Sequence, residues 1–115
     1  MLGGIDQTLV DQVGAEAYIS VNVGSGTVQE AADWLQYMTA DAATGWGKER
    51  AANGHAAPYK VAMLGLGNES WDCGGHMSAA EYGSELKRFA KFVHNSNKQQ
   101  PMQKIAVGPG GEKTE

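Results

Sequence analysis

The sequence predicts an α/β fold built on a parallel sheet, and three observations predict it. Short apolar runs at 17–23, 59–66 and 104–107 alternate with two stretches whose apolar residues recur at helical spacing. Both of those stretches open on a Thr/Ser-x-x-Glu pattern, the start signal of a capped helix. Each apolar run ends in a glycine-rich segment, at 24–26, 65–75 and 108–111. Strand–helix alternation implies parallel pairing through right-handed crossovers. All three strands then place their C-terminal ends on one rim, where glycine lets backbone approach a ligand closely.

At the N-terminus Ile5, Leu9 and Val13 recur every four residues, which allows one helix face stopped by Gly14. Ala17 to Val23 is rich in β-branched and aromatic residues and reads as the first strand. Thr27 and Glu30 form a capping box, after which Val28, Ala31, Ala32, Leu35 and Met38 share a helical face. Trp34 and Tyr37 flank that face and help to cover the sheet. The polar stretch 39–58 is a connection, with a short helix allowed around 48–52. Tyr59 to Leu66 is the second strand. Ser78 and Glu81 form a second capping box, and Tyr82, Leu86, Phe89, Ala90 and Val93 line a helix running to about Asn95. Lys104 to Val107 is the third strand.

The second strand carries the chemistry. Its apolar run suits burial on both faces of a parallel sheet, yet it stops abruptly at Gly67, Asn68 and Glu69. The C-terminal end of a buried parallel strand is where α/β folds bind ligands. A carboxylate and an amide there have no packing task, and Trp71 adds a flat apolar surface two residues on. Together they suggest a sugar site with Glu69 as the working acid. From spacing alone a second reading stands beside it, in which Glu69 only caps the next helix.

The other signals are weaker. Asn22 near the end of the first strand lines the rim or holds a loop, and the loop role is preferred. Trp71 is a pocket wall or a core aromatic under the loop. Asp72, Cys73 and His76, with distant His55, lack the paired cysteine and histidine spacing of a structural zinc site, so no metal is expected. Cys73 has no partnering base evident from spacing. Gly24-Ser-Gly-Thr opens a helix as phosphate loops do, but it lacks the third glycine of a dinucleotide fingerprint and the Gly-Lys-Ser/Thr of a P-loop.

Composition narrows the classes. The chain has 115 residues and a formal charge of −4, enough for one small domain. Mild acidity without a basic run argues against a nucleic-acid partner. No apolar run approaches the ~20 residues of a membrane helix. Met1 to Val10 lacks the basic start and apolar centre of a signal peptide, which favours the cytoplasm without fixing the compartment. One cysteine cannot form an internal disulfide.

The run Gly-Leu-Gly-Asn-Glu at 65–69 resembles the Asn-Glu signature on the fourth strand of retaining glycoside hydrolases built on (β/α)8 barrels. The longer run Gly-Leu-Gly-Asn-Glu-Ser-Trp-Asp-Cys-Gly-Gly-His-Met is more specific and resembles α-L-arabinofuranosidases of glycoside hydrolase family 51. The resemblance covers about 14–110 and corresponds to the third through fifth strands of the family barrel. It implies a partial (β/α)8 barrel, with residues 1–115 a fragment of a catalytic domain that takes ~250 residues when whole. It further implies Glu69 as general acid/base, Asn68 as hydrogen-bond partner of the sugar hydroxyl beside the anomeric carbon, and Trp71 as a wall of the sugar pocket. The implied partner is an arabinose-containing oligo- or polysaccharide, the reaction needs no cofactor, and family members are often oligomers.

Departures accompany the likeness. Met63 and Leu64 stand where the family often has bulky aromatics, Asp72 where glycine is common, and His76 where asparagine is. The nucleophilic carboxylate of the family lies on the seventh strand, beyond the end of this chain, so the isolated chain is expected to be inactive. It is also expected to be marginally folded, because two sheet edges and a half-covered face meet water. Three rivals follow from the same residues. They are another retaining barrel glycosidase of xylosidase or glucanase type, a non-catalytic carbohydrate-binding module, and a nucleotide-binding domain acting through Gly24 to Thr27.

Overall fold

A computed structural model describes residues 9–108. The elements run β1 (Ala17–Val21), α1 (Val28–Thr39), α2 (Gly45–Ala52), β2 (Val61–Leu66), α3 (Ala79–Phe92) and β3 (Gln103–Ala106). The sheet order is β1-β2-β3 and both pairings are parallel, as the alternation required. Asn22, Asn68 and Gly108 each follow a strand's C-terminal end and therefore share one rim. Ile5 and the glycines at 110–111 lie outside the described residues. Residues 9–13 are helical, and Gly14 follows them at φ 73° with its N–H on the Asp11 carbonyl.

Register divides the sheet into two unlike faces. Ile19 and Val21 pair with Leu64 and Leu66, which pair in turn with Lys104 and Ala106. Across β1 and β2 this face lies under the helices, while Lys104 and Ala106 of β3 stay exposed. Leu35 and Met38 of α1, Phe89 of α3 and Val93 just after it join Val21, Leu64 and Leu66 in one core. The opposite face carries Tyr18, Ser20, Met63, Gly65, Gln103 and Ile105. No helix covers it among the described residues, and Tyr18 is 51% exposed there. A sheet of this kind in α/β proteins is normally covered on both sides.

Element ends fall where the backbone finds another partner. The first strand stops at Val21 rather than Val23 because the Asn22 side chain bends the chain, its Oδ1 accepting the N–H groups of Gly24 and Ser25 at 3.0 Å. The second starts at Val61 rather than Tyr59 because the Tyr59 N–H bonds the Met38 carbonyl at the end of α1. The third stops at Ala106 because the Val107 N–H turns to the Tyr82 hydroxyl. Residue 93 is extended, so α3 ends three residues before Asn95.

Ser78 forms the full capping box: its hydroxyl accepts from the Glu81 N–H, and Glu81 Oε2 accepts from the Ser78 N–H. At Thr27 half of the expected box forms, the hydroxyl accepting from the Glu30 N–H at 3.0 Å. The short helix of the connection is longer than its sequence suggested. It opens at Gly45, where Gln36 Oε1 takes the Trp46 N–H.

That connection is held by a residue that no sequence motif marks. Arg50 is fully buried. Its guanidinium donates to the carbonyls of Tyr37, His55 and Ala56 at 2.8–2.9 Å. Burial holds its pKa below the ordinary arginine value, with the nearby Tyr37, Tyr59 and Asp41 opposing that shift. A planar fork with five donors suits this triple carbonyl contact, which joins α1 to the chain entering β2.

Candidate active site

Everything around Glu69 is set by how β2 ends. Gly67 turns the chain at φ 101°, and a Cβ there would lie 2.6 Å from Ser70 Oγ and 2.8 Å from Val23 Cγ2. Asn68 and Glu69 follow, both exposed on the rim. Glu69 itself sits at φ 45°, a left-handed conformation that disfavours residues with a Cβ. Its carbonyl accepts the N–H groups of Asp72 and Gly74, both at 2.9 Å, and these bonds hold the strained turn. Backbone strain of this kind concentrates at functional sites.

The loop then closes on itself. The Met77 N–H bonds the Ser70 carbonyl at 2.8 Å, and α3 is capped at the next residue. Gly74 packs so tightly on the Asn68 carbonyl that any Cβ would collide with it. Gly24 of the β1 loop lies against the same segment, where a Cβ would stand 2.7 Å from the Gly74 carbonyl oxygen. Two of the three rim loops therefore touch through glycine backbone.

Beneath the loop, the Tyr82 hydroxyl donates to the Leu66 carbonyl at 2.6 Å and accepts from the Val107 N–H at 2.8 Å. One side chain of α3 thus ties the C-terminal ends of β2 and β3 together. From sequence alone, Tyr82 is part of an apolar face. Its hydroxyl at the first turn of a helix, beside two strand ends, was the signal of a polar task.

Glu69 has one side-chain partner among the described residues. The Cys73 thiol donates to Glu69 Oε2 at 3.0 Å. That hydrogen bond, with the adjacent Glu69 and Asp72 charges, pushes the thiol pKa above its ordinary value. Asp72 and His76, both exposed, face one another at 4.0 Å. His55 is far from them in the fold, stacked on Tyr59 with ring centroids 4.0 Å apart. Among the described residues no three His, Cys, Asp or Glu side chains gather as metal ligands would.

The remaining named residues separate. Trp71 is half-buried, stands outside the main core and follows Glu69 by two residues in the rim loop. Asn22 also donates from Nδ2 to Ser25 Oγ at 2.9 Å, so its amide is occupied in holding the β1 loop. The arrangement is an exposed carboxyl beside an exposed amide, on a braced turn, with one oxygen held by a thiol. It can donate and recover a proton at a group lying over the rim.

Residues 7–114 match the family model described as the α-L-arabinofuranosidase 1 domain. The chain belongs to that family. It is 42% identical over 87 residues to the intracellular exo-α-L-arabinofuranosidase of Bacteroides ovatus, a match covering 76% of this chain and 17% of that protein. The family 51 arabinofuranosidase structure from Xanthomonas axonopodis pv. citri superposes with a TM-score of 0.83 at 39% identity, over 88% of this chain and 20% of that one. The Thermotoga maritima α-L-arabinofuranosidase in complex with arabinose gives a TM-score of 0.72 at 34% identity, over 90% and 21%. The chain thus spans about a fifth of the length of the arabinofuranosidases it matches. Its three parallel strands and their helices are a partial (β/α)8 barrel of the family 51 type.

Proposed function

We propose that residues 1–115 are part of the catalytic barrel of a retaining α-L-arabinofuranosidase. The whole enzyme removes terminal non-reducing α-L-arabinofuranosyl groups from arabinan, arabinoxylan or their oligosaccharides. The observation that carries this is the exposed Asn68-Glu69 pair at the C-terminal end of the central strand, in a chain of this family. A relative solved with arabinose and another named as an intracellular exo-acting arabinofuranosidase support the substrate class and a place inside the cell.

In this reading Glu69 works twice. It first gives its proton to the departing glycosidic oxygen while a second carboxylate attacks the anomeric carbon. It then takes a proton from the water that frees the sugar. Retention needs that second carboxylate about 5–5.5 Å from the first, and it comes from a later strand of the barrel. Asn68 holds the hydroxyl beside the anomeric carbon, and Trp71 walls the sugar. No cofactor or metal takes part.

The test is Glu69→Ala in the enzyme carrying all eight strands. Natural oligosaccharides, whose leaving groups need the proton, should lose roughly 10²–10⁴-fold. A nitrophenyl arabinofuranoside should still form the glycosyl-enzyme, whose breakdown azide then rescues. The product is a glycosyl azide with the substrate's configuration. Equal loss on good and poor leaving groups without rescue rejects the acid/base role, and an inverted azide assigns Glu69 as nucleophile instead. A panel of nitrophenyl glycosides separates arabinofuranosidase from xylosidase or glucanase activity.

A further inference from the structure

We infer that Cys73 is a positioning residue for Glu69: its thiol holds Oε2 and leaves Oε1 as the oxygen that carries the catalytic proton. This rests on the acid/base reading of Glu69 given above.

The geometry is built rather than incidental. The Glu69 carbonyl binds the N–H groups of Asp72 and Gly74, the two residues flanking Cys73. The chain therefore wraps around residue 69 and brings the thiol back to its side chain at 3.0 Å. Gly74, which admits no Cβ, makes this return short enough. An exposed glutamate on a strand end otherwise samples several rotamers, and ordering it has an entropic cost that a preformed contact offsets before substrate arrives. Among the described residues no other side chain donates to Glu69, so the thiol is the group that selects its rotamer.

Sulfur has to keep its proton for this task. The charged groups facing it are Glu69 and Asp72, with His76 standing 4.0 Å from Asp72. The β1 loop packed against the same segment presents the uncharged Gly24. Two carboxylates beside a thiol disfavour the thiolate, so Cys73 is a donor at neutral pH and a poor nucleophile. During glycosylation the O–H bond at Oε1 breaks as the leaving oxygen gains the proton. The thiol proton stays on sulfur, and its hydrogen bond strengthens as the carboxylate charge develops. The thiol therefore stabilises the product side of proton donation without entering the proton count.

Two measurements test this. In the enzyme carrying all eight strands, alkylation of the exposed Cys73 by iodoacetamide is followed across pH by peptide mass spectrometry. Glu69→Gln should lower the pH midpoint of alkylation, because the facing charge is gone. An unchanged midpoint overturns the contact. In the whole enzyme, Cys73→Ala should lower kcat/KM roughly tenfold on arabino-oligosaccharides, the size of one hydrogen bond to a charged group. It should do much less on nitrophenyl arabinofuranoside, and Cys73→Ser should restore most of the loss. Equal loss on both substrates, no loss on either, or failure of serine to rescue overturns the positioning role. Failure of azide rescue in Glu69→Ala instead rejects the acid/base assignment beneath it, so the two readings fail separately.

Discussion

Replacing Tyr82 with phenylalanine removes one oxygen and two hydrogen bonds. That oxygen lies 2.6 Å from the Leu66 carbonyl and 2.8 Å from the Val107 nitrogen, so it spans the ends of β2 and β3. The ring stays half-buried against the core and the packing volume changes little. The loss is therefore that of the two bonds. At a net ~1 kcal/mol each it comes to about 2 kcal/mol, toward ~3 kcal/mol if the Val107 N–H is left without water. The assay is urea unfolding of the enzyme carrying all eight strands, followed by tryptophan fluorescence. The midpoint should fall while the slope stays unchanged, since the surface exposed on unfolding is the same. Amide exchange at Val107 should quicken more than exchange along the rest of β3. A destabilisation under ~0.5 kcal/mol, or Val107 exchange equal to wild type, would mean that water replaces the hydroxyl and that the two strand ends are held by the ladder alone.

Other perturbations follow from the same contacts. Gly74→Ala places a methyl against the Asn68 carbonyl, so the loop must open. In the whole enzyme it should lower kcat by tenfold or more while leaving the melting temperature nearly unchanged, as expected for an exposed loop, and a normal kcat would refute the tight packing. Arg50→Met leaves the carbonyls of Tyr37, His55 and Ala56 without their donor. Because Tyr37 is buried while Ala56 is exposed to water, the cost should be on the order of 2–4 kcal/mol, read as a lowered urea midpoint. Arg50→Lys should recover only part of it, since one ammonium cannot reach all three oxygens in that geometry.

The architecture was legible because it rests on local signals that agree with one another. The Ser78-Glu81 pattern, the apolar spacing from Val28 to Met38, and the β-branched run from Ala17 each point to the element that forms. Element ends were less legible because distant partners decide them. Nothing near Val107 in the chain tells that a tyrosine 25 residues earlier will take its N–H. Arg50 is illegible in the sequence for a related reason. A lone arginine in a polar stretch reads as solvated, and only the folded connection brings three carbonyls around it. At the site, Asn68 and Glu69 were readable as a motif. The left-handed turn of Glu69 and the return of Cys73 to it were not, because both depend on the loop's closure by Gly74.

The bond between Ser70 and Met77 gives the acid loop a neck. Residues 71–76 lie beyond that neck, and the capped start of α3 lies immediately behind it. Such a loop behaves as an exchangeable cassette. Side chains at its tip can be substituted without shifting the frame in which α3 meets the sheet, provided the side facing Gly24 stays as slim as glycine backbone and Cys73 still reaches Glu69. Asp72 and His76, both exposed there, can change while the strand, the helix and the spacing between them remain as they are.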